Sequence, residues 1–414
     1  MAQGTERHDF TYDVTTCGGG HGNSNLLWGI TQFFPRNRVN SIVTNADDGG
    51  DSGKLSNSEH GYGVESPGDK RMCAMPLASK LTQPENNLLN QYRFTGREGR
   101  LSDYTIRDLA IEILNQQHET SFKGAIAFRK IFFVPLINLL NSNNVSPDLQ
   151  KLMDYKFPGD KLELNERCFG NLVIAACELM AGNPAGGFEM FRRIFSVQGE
   201  IVSATNKKNP VLHAEFSNGE IIKGESKIGN RDKNPTYNPR NKMSRIYHDG
   251  EINPRAIYLL KNSFLRVISP GSPETSIIPV LATKGFTEIV EEANKTGGKT
   301  IVVPPVMNSE GTAFRDASQV IESYLSYLND RRKLITDVIL SATPMPQDGE
   351  NRYAEYGQTK IAHEFRSCHI LLPQAKIHLI PDLIDYDMTS GRVGHNQGRL
   401  GEAIYSIWRQ GFRH

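Results

Sequence analysis

A run of glycines near the amino end is the feature of this chain that most directly indicates ligand chemistry. The stretch VTTCGGGHGNSN leads from a short β-type segment through Gly18, Gly19, Gly20, His21 and Gly22 into the apolar, helix-spaced segment LLWGI. Because glycine accepts positive φ and has no Cβ, a ligand can approach such a backbone closely. A following helix would direct N–H groups and the positive end of its dipole to the same place. This order indicates a phosphate-binding loop. A steric tight turn is the alternative, and the glycines alone do not decide between the two.

A second loop of the same kind lies two-thirds of the way along the chain. In ISPGSPETS we expect a strand over 264–268, a loop over 269–272 and a helix from Thr275 onward, capped by the threonine hydroxyl. Another buried strand, in SIVTNADDGGDSGKL, ends in a polar loop that contains Asn45, Asp47 and Asp48. Since ligands collect where the carboxyl ends of parallel strands meet, these loops are expected to converge.

Strands that alternate with helices predict an α/β, Rossmann-like fold, with a mainly parallel sheet and helices on both faces. We expect a single domain over residues 1–414, with a mainly helical insertion over 81–165 and a β-hairpin over 211–225. Within the insertion, TIRDLAIEIL predicts an amphipathic helix with Thr105 and Asp108 as a capping box. FRKIFFVPLINLL predicts a second, buried helix that its proline disturbs.

The composition is typical of a soluble globular protein that buries a substantial core. Of the 414 residues, 38% are hydrophobic and 22% are charged, and the net charge of +1 gives no reason to expect nucleic acid or anionic membranes as partners. The longest apolar run is too short to span a bilayer. The 5 cysteines are widely spaced and odd in number, which argues against a disulfide scaffold or a zinc ribbon. We therefore expect a cytoplasmic protein without a covalent cofactor.

Nine blocks in order resemble the CofD/YvcK family, which groups 2-phospho-L-lactate transferases of deazaflavin cofactor synthesis with bacterial gluconeogenesis factors. The blocks are CGGGHGNSNLL, SIVTNADDGGDSGKL, SPGDKRMCA, FGNLVIAA, GEIIKGES, ISPGSPETSIIP, VMNSEGT, VILSATPMP and RYAEYG. ADDGGDSGKL and GEIIKGES are similar to the gluconeogenesis-factor branch, which binds nucleotide sugars and is tied to carbon flux and cell-wall supply. The acceptor loop that the transferase branch carries after its Asp pair is not found here.

The resemblance implies that a nucleoside diphosphate group binds at the two glycine loops. Its ligands would be backbone N–H groups and hydroxyls of Gly18, Gly19, Gly20, His21, Gly22, Asn23 and Ser24, and of Gly271, Ser272 and Thr275. Further nucleotide contacts are expected from Asn45, Lys54, Asp69, Arg71, Gly170 and Asn171. Lys54 and Arg71 would neutralise phosphate charge. For these outer residues, local caps and surface ion pairs are equally plausible roles.

The Asp pair keeps an enzymatic function open beside a regulatory one. The resemblance implies that this enzyme would move a phospho-acyl group from a nucleoside-diphosphate-linked donor and release a nucleoside monophosphate. In a transferase, Asp48 would hold Mg²⁺ against the pyrophosphate, while Asp47 would orient or deprotonate an attacking hydroxyl. In a regulator, the chain would sense a UDP-sugar or a guanine nucleotide without turnover. A solvated turn is the plain alternative for both carboxylates. The hypothesis of a dinucleotide-dependent oxidoreductase is weaker than these two, because the first loop lacks the G-x-G-x-x-G spacing.

Departures at both glycine loops set this chain apart from the usual family pattern. His21 stands where a small hydroxyl residue is usual. Ser269, Pro273 and Glu274 replace a glycine and a bulkier pair at the second loop. The family also makes a homodimer a fair expectation, although no pattern in the sequence locates an interface.

Overall fold

The computed structural model describes residues 10–79, 92–116, 146–233, 238, 243–308, 314–355, 358–387 and 392–411. The chain divides into two compact units, one of Met1–Asp47 with Gly199–His414 and the other of Asp48–Gln198. Of the expected insertion over 81–165, the segments 81–91 and 117–145 lie outside the described residues, and with them the helix expected in FRKIFFVPLINLL. No helix among the described residues is long and apolar enough to cross a membrane.

The first unit is built on a seven-stranded sheet in the order β10-β9-β8-β7-β1-β2-β3. Every neighbouring pair in it is parallel. Its strands are β1 (Tyr12–Cys17), β2 (Val39–Val43), β3 (Ile201–Ser203), β7 (Ser263–Ile268), β8 (Lys299–Val302), β9 (Asp337–Ser341) and β10 (Lys376–Ile380). Helices flank the sheet, so the predicted Rossmann-like α/β fold is confirmed.

Two small antiparallel sheets complete the strands of the first unit. One has the order β5-β4-β6 and contains β4 (His213–Phe216), β5 (Ile221–Lys223) and β6 (Met243–Tyr247). The other pairs β11 (Ile384–Asp387) with β12 (Arg392–His395). The turn from β4 to β5 contains Gly219 at φ +84°, a conformation that favours glycine or asparagine in tight hairpins.

The direction of the strand order reverses between β1 and β7. From β1 the chain builds β2 and β3 on one side, and from β7 it builds β8, β9 and β10 on the other. The register places Cys17 beside Ile268, so the two central strands end level with each other. Both strands are almost entirely buried, as expected for a parallel sheet covered on both faces. A reversal of this kind opens a crevice at the carboxyl edge of the sheet, where ligands bind in folds of this type.

Apart from short 3₁₀ helices, the described part of the first unit contains α-helices and one π-helix. They are Gly20–Ile30, Glu225–Gly229, Pro254–Asn262, the π-helix Pro273–Ile277, Ile278–Leu281, Phe286–Lys295, Ala317–Tyr327, Gln347–Ala354, Phe365–Leu371 and Gln397–Gly411. In Ala317–Tyr327 the helix buries an apolar face that includes Ile321, Tyr324 and Leu325.

The helix that follows the first glycine loop packs at very short range against the carboxyl-terminal helix. A Cβ on Gly29 would lie 2.2 Å from the carbonyl oxygen of Gln397, and one on Gly401 would lie 2.2 Å from the carbonyl oxygen of Gly29. Phe34, one turn beyond the first helix, makes edge-to-face contacts with Tyr405 and Trp408. This contact fixes the axis of the helix whose start forms part of the candidate site.

The described part of the second unit is mainly helical. Its helices are Gly50–Ser56, Gly68–Leu77, Ile106–Gln116, Pro147–Met153, Phe169–Ala181 and Pro184–Phe195. The predicted capping box is confirmed, because the backbone N–H of Thr105 donates to Asp108 Oδ2 at 2.8 Å and that of Asp108 donates to the Thr105 hydroxyl at 3.1 Å. The Thr105 hydroxyl also donates to Asp108 Oδ2 at 2.7 Å, and this bond, followed by the one from the Thr105 N–H, holds the pKa of Asp108 below its usual value.

His395 links the end of β12 to the helix Gly20–Ile30. The Asn25 amide donates to the His395 carbonyl oxygen at 2.5 Å, and Gln397 Nε2 donates to Asn25 Oδ1 at 2.7 Å. The imidazole of His395 is buried, and within the described residues its Nε2 has no hydrogen-bond partner. Burial, together with nearby His363, lowers the pKa of His395 to about 3.

This buried imidazole predicts acid sensitivity of the fold. Below pH ~6.5 the unfolded chain protonates the histidine and the folded chain does not, so stability falls as the pH drops toward 3. Replacement His395→Gln should remove about 1.4 kcal/mol of the stability lost between pH 7.5 and 5.5, as measured by urea unfolding at both pH values. The matched control is His60→Gln, because the His60 side chain is 86% exposed. An unchanged pH slope in His395→Gln would contradict the assignment.

Candidate functional site

The two glycine loops lie side by side at the reversal between β1 and β7. Beyond the last residues of the strands, Gly18 N–H donates to the Ile42 carbonyl oxygen at 2.9 Å, and Ser269 N–H donates to the Cys17 carbonyl oxygen at 3.0 Å. The sheet hydrogen bonding therefore holds the two backbone segments level with each other before each of them turns. The first glycine loop (residues 18–22) and the second glycine loop (residues 269–272) start from these two points.

The loops meet through positions that have no room for a side chain. A Cβ on Gly22 would lie 2.2 Å from the Pro270 carbonyl oxygen, and one on Gly271 would lie 3.2 Å from the Gly19 carbonyl oxygen. Gly18 has a φ of +140°, and its Cβ would lie 2.2 Å from the hydroxyl oxygen of Ser269. Glycine is thus required here both by the backbone conformation and by the contact between the loops.

Each glycine loop leads into a helix earlier than the sequence indicated. The helix expected over LLWGI begins at Gly20, inside the first loop, with Gly19 extended before it and no acidic residue in its first turn. The expectation of a helix from Thr275 with a threonine cap is wrong. A π-helix begins at Pro273, and Ser272 precedes it without a side-chain cap hydrogen bond. Proline at the first helical position needs no N–H partner there and has a helical φ already.

The polar side chains after the first loop mainly support its shape. Asn23 is buried, and its amide donates to the Gly18 carbonyl oxygen at 3.0 Å and to the Ser41 hydroxyl at 2.9 Å. Ser24 is also buried, whereas His21 is exposed at the start of the helix. Asn23 therefore fastens the loop to β2, and His21 is the side chain of this stretch that solvent reaches most freely.

The end of β2 contributes one buried amide and two accessible carboxylates. Asn45 is buried, its amide donates to the Lys207 carbonyl oxygen at 2.8 Å, and its Oδ1 accepts from the Thr205 hydroxyl at 3.2 Å. Asp47 is half-buried and ends the first unit, and Asp48 is exposed and begins the second. Within the described ranges, no group of three or more His, Cys, Asp or Glu side chains is arranged to hold a metal ion.

The remaining predicted site residues belong to the second unit, where several surround a buried carboxylate. Asp51 Oδ2 accepts from the Cys168 N–H at 3.0 Å and from the Asn171 amide at 2.8 Å, and Arg167 Nη1 lies 2.9 Å from Asp51 Oδ1. Asp51 thus neutralises the start of the helix Phe169–Ala181, which favours negative charge at its first N–H groups. Asn171 serves this arrangement. Sequence reasoning did not single out Asp51, although it lies in the same polar loop as the Asp pair.

Arg71 is buried in the second unit beside Cys168, whose sulfur its Nη1 contacts. Within the described residues it forms no salt bridge, in contrast to neighbouring Lys70, which pairs with Glu65. Gly170 is buried one residue before Asn171, Asp69 is half-buried in the first turn of Gly68–Leu77, and Lys54 is exposed. Arg71, Gly170 and Asn171 therefore gather at one helix start, and Lys54 stays at the surface of its unit.

One of the departures at the second loop, Glu274, belongs to a buried ion pair that the sequence did not indicate. Glu274 Oε2 and Oε1 accept from Arg231 Nη1 and Nη2 at 2.5 and 3.0 Å, and both side chains are buried. Burial raises the pKa of Glu274, and the Arg231 charge opposes that shift. The polar stretch around Arg231 thus supplies a buried partner to the loop.

Comparison with protein families matches residues 14–140 and 134–376 to the family described as 2-phospho-L-lactate transferase CofD. The chain belongs to the CofD family. The resemblance inferred from the nine blocks is therefore confirmed. The family match spans both glycine loops and the Asp pair of this CofD-family chain.

Curated relatives agree with the YvcK-like branch. A putative gluconeogenesis factor of Aquifex aeolicus is 27% identical over 356 residues, 84% of each chain. A gluconeogenesis factor of Halalkalibacterium halodurans is 22% identical over 397 residues, 95% of each chain. A crystal structure of a UPF0052 family member from Bacillus halodurans matches with a TM-score of 0.67 at 22% identity, over 95% of this chain and 99% of that one, and shows the same fold.

Proposed function

We propose that this CofD-family protein binds the diphosphate of a nucleotide or nucleotide sugar at its two glycine loops and regulates carbon metabolism or cell-wall precursor supply. The observation that carries the binding proposal is the reversal of strand order between β1 and β7, with both glycine loops at that point. Ligands of doubly wound sheets bind in the crevice at such a reversal.

The chemistry of the two loops supports an anionic ligand. The start of a helix supplies free N–H groups and a partial positive charge. One helix begins within the first loop and another directly after the second loop. Glycine at positions 18, 22 and 271 keeps side chains away from the backbone where the loops meet. Ser272 adds a hydroxyl group directly after Gly271 in the second loop. This combination suits a diphosphate better than a neutral or cationic ligand.

The regulatory part of the proposal rests on the relatives, several of which are named gluconeogenesis factors. The absence of the transferase acceptor loop after the Asp pair agrees with it. Widely spaced cysteines in odd number favour a cytoplasmic location. The family resemblance makes a homodimer the expected oligomeric state. Light scattering with and without ligand measures it.

A thermal-shift screen with UDP-glucose, GDP-mannose, UDP, GDP, NAD and NADP tests the binding proposal. A ligand that binds only the folded state raises Tm by mass action. At 100 times Kd we expect a rise of about 3–5 °C for one nucleotide sugar, equal with Mg²⁺ and with EDTA. No shift with any of these compounds at millimolar concentration would contradict diphosphate binding at the loops.

A transferase is the second candidate, because the matched family is described by that activity and Asp48 is exposed. Mg²⁺ needs only one or two carboxylates when phosphate oxygens complete its shell, so Asp47 and Asp48 fit this ion. It would screen the charge that develops on the leaving nucleoside monophosphate. In that case, a guanine nucleotide should bind only when Mg²⁺ is present, and Asp48→Asn should lose this Mg²⁺-dependent binding. Metal-independent binding that Asp48→Asn leaves unchanged favours the regulator.

A further inference from the structure

A cavity of about 360 Å³ opens directly beside the second glycine loop. One wall is the start of the π-helix, with Ser272 and Thr275, and the other is the short helix that contains Ser226. Gln358 lies at the edge. This volume is near the lower end of the range of small-molecule sites, roughly 300–1,000 Å³. It suits a single ring better than a whole nucleotide.

The buried ion pair described above joins the two walls of this cavity. Arg231 Nη1 donates to the Ile228 carbonyl oxygen at 2.9 Å, in the short helix, while the same guanidinium binds Glu274 in the π-helix. Close approach of the walls also depends on Gly229, because a Cβ there would lie 3.3 Å from Thr275 Cγ2. The walls are therefore held at a fixed separation before a ligand arrives, which preorganises the groups that line them.

The side chains that line the cavity are suited to a ligand rich in hydroxyl groups. They include the hydroxyls of Ser226, Ser272 and Thr275, the amides of Asn230 and Gln358, and the carboxylate of Glu225. Each of these accepts or donates hydrogen bonds to an alcohol. The Thr275 hydroxyl forms no hydrogen bond with another residue in the described part of the chain. It is thus available to a ligand.

The lining also excludes other groups. All of its residues are described, and none is aromatic, so a nucleobase or a deazaflavin ring finds no surface for stacking. None is Lys or Arg, so an anionic group would lie there without a cationic partner. The phospho-acyl group of a transferase donor is anionic. A neutral sugar has neither disadvantage.

We infer that this cavity holds the sugar ring of a nucleotide sugar, which makes Ser272 and Thr275 part of its sugar specificity. The inference rests on the proposed diphosphate binding. Ser272 directly follows Gly271, whose Cβ would lie within 3.2 Å of the first loop. The cavity therefore begins one residue from the point where the loops meet, and a group attached to the distal phosphate enters it.

Isothermal titration of the full chain with UDP-glucose and with UDP tests this inference, because UDP keeps the nucleoside and the diphosphate but lacks the sugar, with an ionisable phosphate oxygen in its place. The wild type should bind UDP-glucose at least tenfold more tightly than UDP. Thr275→Val keeps the shape and removes the hydroxyl, so it should weaken UDP-glucose about tenfold and leave UDP unchanged. UDP-glucuronate, which adds a carboxylate to the sugar, should bind at least tenfold more weakly than UDP-glucose. If only guanine nucleotides bind, the same comparison is made with GDP-mannose and GDP in place of UDP-glucose and UDP.

The matched control is Thr296→Val, whose hydroxyl donates to the Ala293 carbonyl oxygen of its own helix; it should change neither affinity. Three results would overturn the sugar assignment while leaving diphosphate binding intact: equal affinities for UDP and UDP-glucose, a Thr275→Val variant that binds UDP-glucose normally, or one that loses both ligands equally. If neither the uridine nor the guanosine pair binds the wild type, the proposed function fails first, and this inference with it.

Discussion

Gly22→Ala is expected to lower nucleotide-sugar affinity at least 100-fold in a chain that still folds. The reason is steric, because the new methyl carbon would lie 2.2 Å from the Pro270 carbonyl oxygen and 2.7 Å from its carbonyl carbon. Both are backbone atoms and cannot rotate away, so the two glycine loops must move apart. The helix N–H groups on the two sides then no longer point at one diphosphate. Titration with UDP-glucose, or with GDP-mannose if the screen selects it, measures the loss.

Two other glycine variants separate this effect from simple backbone strain. Gly219→Ala introduces an alanine at φ +84° with no atom within 4 Å of its Cβ, so it carries strain but lies in the β4–β5 turn. Gly20→Ala lies in the first loop at φ +65°, and the nearest atom to its Cβ is the Ser276 hydroxyl oxygen at 3.6 Å. Each should cost ~1 kcal/mol of stability through its left-handed backbone. Nucleotide-sugar binding should be normal in Gly219→Ala and moderately weaker in Gly20→Ala.

Normal affinity in a folded Gly22→Ala chain would mean that the diphosphate does not depend on the approach of the two loops, and the binding proposal would fail. If Gly22→Ala does not fold, Gly20→Ala gives the answer, because its added methyl group makes no clash and its nearest neighbour is the Ser276 hydroxyl oxygen at 3.6 Å. A folded Gly20→Ala chain with wild-type affinity would then count equally against the loops as the site.

The parts of the site that were predictable from the sequence are those encoded over short distances. Strand, glycine loop and helix follow each other within some fifteen residues at both Gly18 and Gly271, and parallel order follows from alternating elements. The start of the π-helix at Pro273 was missed, although a serine followed by proline is a common helix start. The start of the first helix at Gly20 was not, because three nearby glycines have low helix propensity.

Contacts between distant residues account for what the sequence did not reveal. Asp47, Asp48 and Asp51 look alike in ADDGGDSGKL, yet of these three only Asp51 is buried. Its hydrogen-bond partners Cys168 and Asn171 lie 117 and 120 residues further along the chain, so the local sequence does not reveal them. The same holds for Arg231 and Glu274, which are 43 residues apart. No local pattern distinguishes an acid that receives such partners from one that remains in solvent.

Breaking the Arg231–Glu274 pair is expected to have the largest effect on stability. Removing one member leaves the other as a buried charge without a counterion, which costs about 3–5 kcal/mol in comparable pairs. Arg231→Met and Glu274→Leu should each lower the free energy of unfolding by that amount in urea titrations. The double variant should recover most of the loss, because two apolar side chains of similar size leave no buried charge.

The exposed pair Lys284–Glu251 is the control for this cycle. Its atoms are 3.0 Å apart, but its side chains are 81% and 61% exposed, so Lys284→Met should change stability by less than ~1 kcal/mol. Losses below ~1 kcal/mol in both single Arg231 and Glu274 variants would show that the pair is not a buried, mutually dependent unit. Binding adds a second readout, since the guanidinium also holds the Ile228 carbonyl oxygen on the opposite wall. A double variant that regains stability but loses the preference for UDP-glucose over UDP would show that the pair positions the cavity walls.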